Sequence, residues 1–171
     1  TLSGANTYSG GTTISAGTLL AGVSSVGSIT SGPFGTAAVT VSSGATLDLN
    51  GYSISNALSL SGAGSGSNGA LYNSSASAGS ATGAITLLAN TTIKELGGLT
   101  LGSINGAFAL TVNTLGSGIT TFGGALGNST NLTSLTTAPT AGAAGVTISG
   151  GSITTSGDLS LGNAITLGAN T

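Results

Sequence analysis

Two short segments decide how this chain folds: Ala37-Ala38-Val39-Thr40-Val41 and, after Ser42-Ser43-Gly44, Ala45-Thr46-Leu47-Asp48-Leu49. In both segments aliphatic residues alternate with small or polar ones, and this period of two is that of a β-strand with one buried face. The three small residues between the segments are typical of a turn. The pair therefore predicts two one-sided strands joined by a tight connection.

Short alternating segments of the same kind recur along the whole chain. Frequent Gly and Thr disfavour helix, and no apolar series at i, i+3, i+4 and i+7 reaches helical length. The sequence thus predicts an all-β protein with no helix longer than a turn or two. The aliphatic positions predicted to face inward are Val39, Val41, Leu47, Leu49, Leu58, Leu60, Leu99, Leu101, Leu110, Val112, Val146, Ile148, Leu159, Leu161, Ile165 and Leu167.

An internal repeat distinguishes among all-β architectures. The segment Ile85–Thr91 returns as Ile165–Thr171 with six of its seven residues unchanged. Repetition of one-sided strands and small turn residues favours a parallel β-solenoid, in which each coil buries its face against its neighbours. At roughly 20 residues per coil the chain would form about eight coils. We expect residues 1–171 to form one continuous solenoid, divided into diverged units 1–84 and 85–171.

The charged residues are too few for most enzyme chemistry. The 171 residues include one basic side chain, Lys94, three acidic ones, and no His, Cys, Met or Trp, for a formal net charge of −2. General acid and base catalysis, thiolate metal sites and phosphate binding all need groups that are absent or isolated here. One lysine does not neutralise a nucleic-acid backbone. The sequence therefore predicts no catalytic residue, no metal site and no cofactor.

Each ionisable residue has a simple structural interpretation. Lys94 and Glu95 precede Gly97-Gly98 and are expected in a solvated turn. Alternation points Asp48 outward from its strand, so that Asp48→Asn would change stability by less than about 0.5 kcal/mol. Asp158 is likewise expected outside. These three acids are too scattered to form the carboxylate cluster of a pectin-degrading β-helical enzyme or a calcium-binding repeat.

Residues 1–20 carry a family resemblance. The order of Leu2, the segment Gly4-Ala5-Asn6-Thr7-Tyr8, the Gly10-Gly11 turn and Ala16-Gly17-Thr18-Leu19 resembles the passenger-associated repeat of bacterial autotransporters. From Ala84 onward the sequence is similar to the β-strand repeats of giant filamentous-haemagglutinin-like adhesins. Three segments carry that likeness: Gly106–Asn113, Phe122–Gly127 and Leu132–Thr137.

The resemblance implies a right-handed parallel β-helix that is secreted, extracellular or on the bacterial cell surface. Its expected function is a structural or adhesive one, as an adhesin stalk or as part of an extracellular fibre or matrix. Two alternatives from other classes remain. A carbohydrate-active β-helical enzyme lacks its acids and bases here. A surface- or ice-binding solenoid would show Thr-x-Thr on one face of each coil, and no such triplet occurs in the chain.

Asparagine and aromatic residues offer further candidate features. The turn asparagines are expected either to form a side-chain ladder along one corner or to act singly, and the two interpretations are equally supported. The six aromatics are too dispersed for a stacking groove, so we expect them to pack in the core or in loops. The asparagines are Asn6, Asn50, Asn73, Asn90, Asn113 and Asn170; Asn-x-Ser/Thr sequons begin at Asn73, Asn90, Asn128 and Asn131; the aromatics are Tyr8, Phe34, Tyr52, Tyr72, Phe108 and Phe122.

The two ends of the solenoid lead to a prediction about partners. Neither Thr1-Leu2-Ser3-Gly4 nor Ile165-Thr166-Leu167 shows the charged or bulky residues of a cap. An uncovered coil presents unpaired backbone groups to any similar edge, and low net charge opposes stacking only weakly. We therefore expect an interior piece of a longer polypeptide, whose coils continue into further repeats or stack end to end on another copy. No apolar segment of this chain is long enough to insert into a membrane.

Overall fold

The computed structural model describes residues 1–25, 29–140 and 142–168. It is 46% strand and 2% helix, which confirms the predicted all-β class. Within those ranges the helical content is one three-residue 3-10 turn, Ser65–Ser67. The strands are β1 (Thr12–Ile14), β2 (Gly17–Leu20), β3 (Val39–Val41), β4 (Ala45–Asp48), β5 (Ser53–Ile54), β6 (Leu58–Gly62), β7 (Leu71–Asn73), β8 (Gly79–Ala81), β9 (Ile85–Glu95), β10 (Leu99–Leu101), β11 (Ile104–Asn105), β12 (Ala109–Thr114), β13 (Thr120–Phe122), β14 (Ser134–Pro139), β15 (Val146–Ile148), β16 (Leu159–Leu161) and β17 (Ile165–Leu167).

The strands stack in parallel along three faces. Face A contains β1, β3, β6, the first half of β9, and β11; face B contains β2, β4, β7, the second half of β9, β12, β14 and β16. Because β9 runs through both faces, A and B form one 11-stranded sheet. Face C is a separate 6-stranded sheet of β5, β8, β10, β13, β15 and β17. The arrangement is a parallel β-solenoid, as predicted.

The solenoid has about six turns, fewer than the eight expected. Several coils are longer than the assumed length because loops interrupt them. One such loop joins β6 to β7 and folds over Thr46, whose hydroxyl donates to the Gly69 carbonyl at 2.8 Å and accepts the Ser65 N–H at 2.9 Å. The side chain of Thr46 points away from the core and is nevertheless fully buried.

The core is the stack of aliphatic side chains inside the three faces. Most of the residues predicted to face inward are buried, from Val39 to Val146, and Ile148 and Leu161 pack against this core while remaining partly exposed. Three predictions of burial are wrong: Leu159, Ile165 and Leu167 are 49%, 37% and 75% exposed. The cause is their position, since β16 and β17 form the last coil described and pair with a strand on one side only.

The two copies of the internal repeat occupy different faces. Ile85 opens β9 and pairs with Leu58 in face A. Ile165 opens β17 and pairs with Val146 in face C. The last three residues of the second copy, 169–171, lie outside the described residues. The division into units 1–84 and 85–171 therefore stays a prediction.

Candidate functional site

The outer surface of face C carries a row of hydroxyl groups. Each strand of this face contributes one outward residue, and parallel pairing in register places these residues one above another, about 4.8 Å apart. The row is one side chain wide, because the strands of face C have two or three residues each. The row consists of Ser53, Ser80, Thr100, Thr121, Thr147 and Thr166.

Charge is almost absent from the surface of the described chain. Of the four charged side chains, Asp158 is exposed, as predicted, and Lys94 is half-buried on the outer side of face B. Asp48 and Glu95 are buried, at 5% and 0% exposure. The surface of the described solenoid therefore consists almost entirely of uncharged polar residues, glycine and apolar residues.

Asp48 points outward from its strand, as predicted, but its carboxylate is buried and not solvated. It does lie on the outer side of β4, but the turn after β4 and the turn after β7 cover it. Its Oδ1 accepts the N–H of Asn50 at 2.9 Å and the N–H of Ser74 at 3.1 Å. Asp48 thus joins two successive coils on the outside of the solenoid.

We expect Asp48→Asn to lower the free energy of unfolding by about 1–2 kcal/mol, because hydrogen bonds to a charged acceptor contribute more than those to a neutral one. Urea unfolding at neutral pH measures the change. Asp158→Asn is the matched control, since it removes an exposed carboxylate and should change stability by less than about 0.5 kcal/mol. Equal effects of the two substitutions would contradict the bridging role of Asp48.

The prediction that Glu95 lies in a solvated turn is wrong, because its side chain is buried. It belongs to the end of β9, where Ile93 faces inward, so alternation also sends Glu95 inward and Lys94 outward. The Glu95 Oε2 atom accepts the Gly98 N–H, and Oε1 has no hydrogen-bond partner. Burial raises the pKa of the Glu95 carboxyl above its ordinary value, while the Gly98 N–H and the Thr120 hydroxyl oppose that rise.

Glu95 lies in a polar part of the interior, at the corner between faces B and C. In register it is flanked by Asn73 on β7 and Thr114 on β12, and both are fully buried. Asn163 reaches into the same corner and donates to the Thr114 hydroxyl at 2.8 Å and to the Ala144 carbonyl at 2.9 Å. Sequence reasoning missed this corner. The signal that could have found it is the spacing in β9: Glu95 lies two residues after the inward-facing Ile93 and therefore also points inward.

The asparagines act singly, and no amide ladder forms among those in the described ranges. Asn73 Oδ1 accepts the Gly51 N–H, and its Nδ2 donates to the carbonyls of Ser77 and Gly98. Asn6 donates to the Pro33 carbonyl, and Asn90 accepts the Ala109 N–H. Each thus connects its own coil to backbone elsewhere, chiefly in an adjacent coil. Asn170 lies outside the described residues.

The sequons and aromatics are distributed without a common site. Asn73 is buried, whereas the sequon asparagines 90, 128 and 131 are exposed. Phe34 and Phe122 are fully buried, and Tyr52 and Phe108 pack against the core, as expected. Tyr8 is 41% exposed, and its hydroxyl lies 2.7 Å from that of Thr12. The aromatics therefore stabilise the fold and form no stacking groove.

The last described coil forms an open edge. The inner side chains of β16 and β17 that would contact a following coil are exposed, as the fold showed for Leu159 and Leu167. A shallow groove of about 260 Å³ lies at this end, lined by Ile148, Ser149, Gly151, Leu167 and Gly168. The lining contains no ionisable side chain. Among the described residues, β16 and β17 pair with a strand on one side only, and apolar side chains are exposed on the other.

Comparison with known proteins adds one finding. Residues 1–21 match the family model of the passenger-associated-transport-repeat. The chain carries a passenger-type repeat. In the structure these residues form β1, β2 and the bridge between Leu2 and Ala21, which belong to the first coil. The repeat and the parallel β-solenoid together fit an autotransporter passenger-like repeat protein. No curated protein and no solved structure matches the chain.

Within residues 1–25, 29–140 and 142–168, no three His, Cys, Asp or Glu side chains come together in a group suited to a metal ion. None of the helices described is long and apolar enough to cross a membrane.

Proposed function

We propose that this chain is a structural and adhesive segment of a secreted or cell-surface bacterial β-solenoid, acting as an adhesin stalk or as part of an extracellular fibre or matrix. The observation that carries the proposal is the parallel stack of coils, which continues through the described residues from β1 to β17. A solenoid of this kind lengthens by adding coils and spaces other domains along its axis. The passenger-associated repeat in residues 1–21 supports export to the cell exterior.

A structural role is preferred to a catalytic one because of how the acids are placed. Two carboxylates in reach of one bond are needed for glycoside hydrolysis. Here Asp158 is exposed in the last coil, Asp48 is held by backbone N–H groups, and Glu95 is enclosed in the interior. We therefore propose a segment without catalytic residues, metal or cofactor.

A surface- or ice-binding role receives weaker support. The hydroxyl row on face C has the regular spacing that such a surface needs. However, it is one side chain wide, and its strands lack the second outward threonine that a two-dimensional array requires.

We further propose that the open edge formed by β16 and β17 is covered by another coil, which belongs either to further repeats of the same polypeptide or to another copy stacked end to end. A parallel β-coil placed on this edge would bond the free backbone groups of both strands and would cover Leu159 and Leu167. Contacts between two different ends of a molecule do not close on themselves, so they extend into fibres. Nucleic acid and membrane are not expected as partners.

The test is self-association of the purified chain, followed by light scattering and negative-stain electron microscopy. We expect axial oligomers that grow with concentration, and Leu159→Asp should reduce the association constant at least about tenfold by placing an unpaired charge in the contact. Leu88→Asp is the matched control. Leu88 is 50% exposed against 49% for Leu159, but it lies on the side of the solenoid.

Two results would count against end-to-end association. One is a chain that stays monomeric at high concentration. The other is an equal loss of association in the Leu159→Asp and Leu88→Asp variants, which would indicate lateral contacts instead. Fibres with lateral contacts would retain the structural role and overturn only its geometry.

A further inference from the structure

The most unusual group inside the solenoid is the carboxyl of Glu95. Its side chain has no exposed surface, and of its two oxygens only Oε2 has a hydrogen-bond partner, the Gly98 N–H. The other oxygen, Oε1, is buried and unpartnered. A buried ionised carboxylate is unfavourable unless it is paired or fully hydrogen-bonded. One N–H donor falls short of that requirement.

No cation in the described structure faces this carboxyl. The only lysine of the chain, Lys94, is its neighbour in β9 and points to the opposite side of the strand. The strands packed nearby, β7, β10, β12, β13 and β14, contain one ionisable side chain, Tyr72, whose register partner is Lys94 on the outer side. Asp48 is bound on the outer surface one coil before β7, and Asp158 is exposed. The charged form of Glu95 therefore has no counter-charge.

The surroundings suit a neutral carboxyl better. The Thr120 hydroxyl on β13 is buried, lies near enough to influence the ionisation of Glu95, and has no hydrogen-bond partner of its own. A protonated carboxyl has an O–H donor, and a hydroxyl oxygen is a suitable acceptor for it. The deprotonated form loses that donor, and only the neutral Gly98 N–H and Thr120 hydroxyl are then near enough to stabilise a buried charge.

We propose that Glu95 is a proton-operated switch inside the solenoid: protonation of its carboxyl holds the corner between faces B and C closed, and loss of the proton loosens it. The corner in question contains Asn73, Thr114, Thr120 and Asn163, which belong to several successive coils. Its loosening would therefore weaken the stacking of coils on both sides of β9. The inference is independent of the adhesive role and of end-to-end association.

The sign of the pH dependence follows from the raised pKa. The folded chain holds the Glu95 proton to higher pH than the unfolded chain does, so this site contributes its full stability below the ordinary value of 4.5. That stability is lost as pH rises through the folded-state pKa. In this interval the unfolding equilibrium constant should increase by up to about tenfold per pH unit. This site is thus expected to stabilise the protein more in mild acid than at neutral pH.

The chain offers an unusually direct measurement, because Glu95 is its only glutamate. Labelling with glutamate enriched in ¹³C at the side-chain carboxyl gives one resonance, which can be followed by NMR in the folded protein from pH 3 to pH 9. We expect its titration midpoint to lie above 4.5, with the Gly98 amide resonance shifting at the same midpoint. A midpoint at or below 4.5 would overturn the proposal.

A pair of variants tests the consequence for stability. In urea unfolding between pH 4 and pH 8, the midpoint concentration of the native chain should fall as pH rises. Glu95→Gln keeps the size of the side chain and removes its titration, so its midpoint should stay level, while Asp158→Asn should behave like the native chain. A fall of the same size in Glu95→Gln would overturn the switch. If that variant does not fold, the NMR titration decides alone.

Discussion

Replacing Leu110 with aspartate should unfold the middle of the solenoid, lowering the free energy of unfolding by about 4 kcal/mol or more. Leu110 is fully buried on β12, where its register partners are Thr91 on β9 and Leu135 on β14. The substitution removes a leucine from the stack and leaves a carboxylate with no cation inside. Urea unfolding followed by circular dichroism measures the loss.

The control for Leu110→Asp is Leu88→Asp, which introduces the same charge at a leucine that is 50% exposed. An exposed substitution of this kind should change the free energy of unfolding by about 0.5 kcal/mol or less. If the Leu110→Asp and Leu88→Asp variants unfolded at the same urea concentration, the inward position of Leu110 on β12 would be contradicted.

The alternation of residues predicted most of the fold, because direction relative to the core is a local property of a strand. Period two alone predicts that Val39 and Val41 in face A and Leu99 and Leu101 in face C point inward, and all four are buried. The parallel stacking was inferred from repetition. The number of coils was overestimated, since the lengths of loops such as the one between β6 and β7 follow from no periodic signal.

Burial of polar residues was harder to predict, because it depends on what covers a side chain from other coils. Asp48 does point outward, but the turn of the next coil, at Ser74, lies over it. The glycines that follow Glu95 predict a turn at this residue, whereas β9 includes it as its last residue. Local sequence gives the direction of a strand residue. Whether another coil covers that residue depends on the register between coils, which local sequence does not determine.

The same distinction explains the end of the solenoid. Leu159 and Leu167 occupy inner positions of their strands, as alternation requires, yet they are among the most exposed large apolar residues described. An inward-pointing side chain is buried only when a neighbouring coil lies on each side of it, and these residues have a described coil on one side. The open edge and the proposed stacking are therefore consequences of the same geometry.

A column of glycines allows the backbones of successive coils to pack closely at the corner between faces C and A. Gly102, Gly124 and Gly150 lie at equivalent positions in successive coils, and the backbone of each coil passes directly against that of the preceding one. A Cβ atom on Gly124 would overlap the backbone of Gly102 and Ser103, while one on Gly150 would overlap Gly124. Backbone atoms in a stacked coil have little freedom to move aside.

Gly124→Ala should therefore cost about 3 kcal/mol, a large effect for one methyl group. To admit the methyl group, the two coils must separate at this corner. Separation stretches the hydrogen bonds from Ile104 N to the Ala125 carbonyl at 3.1 Å and from Gly127 N to the Ile104 carbonyl at 2.8 Å. Thermal unfolding and amide exchange at Ile104 and Gly127 report the global and the local loss.

The matched control is Gly10→Ala, at a glycine where an added Cβ meets no atom within 4 Å and where the backbone is not left-handed. There alanine should be neutral or stabilise by up to about 1 kcal/mol, because it restricts the unfolded chain. The contrast isolates steric contact between coils from any general preference for glycine. Equal melting temperatures for Gly124→Ala and Gly10→Ala would show that this corner tolerates a side chain, and the close stacking of coils described for it would then be wrong.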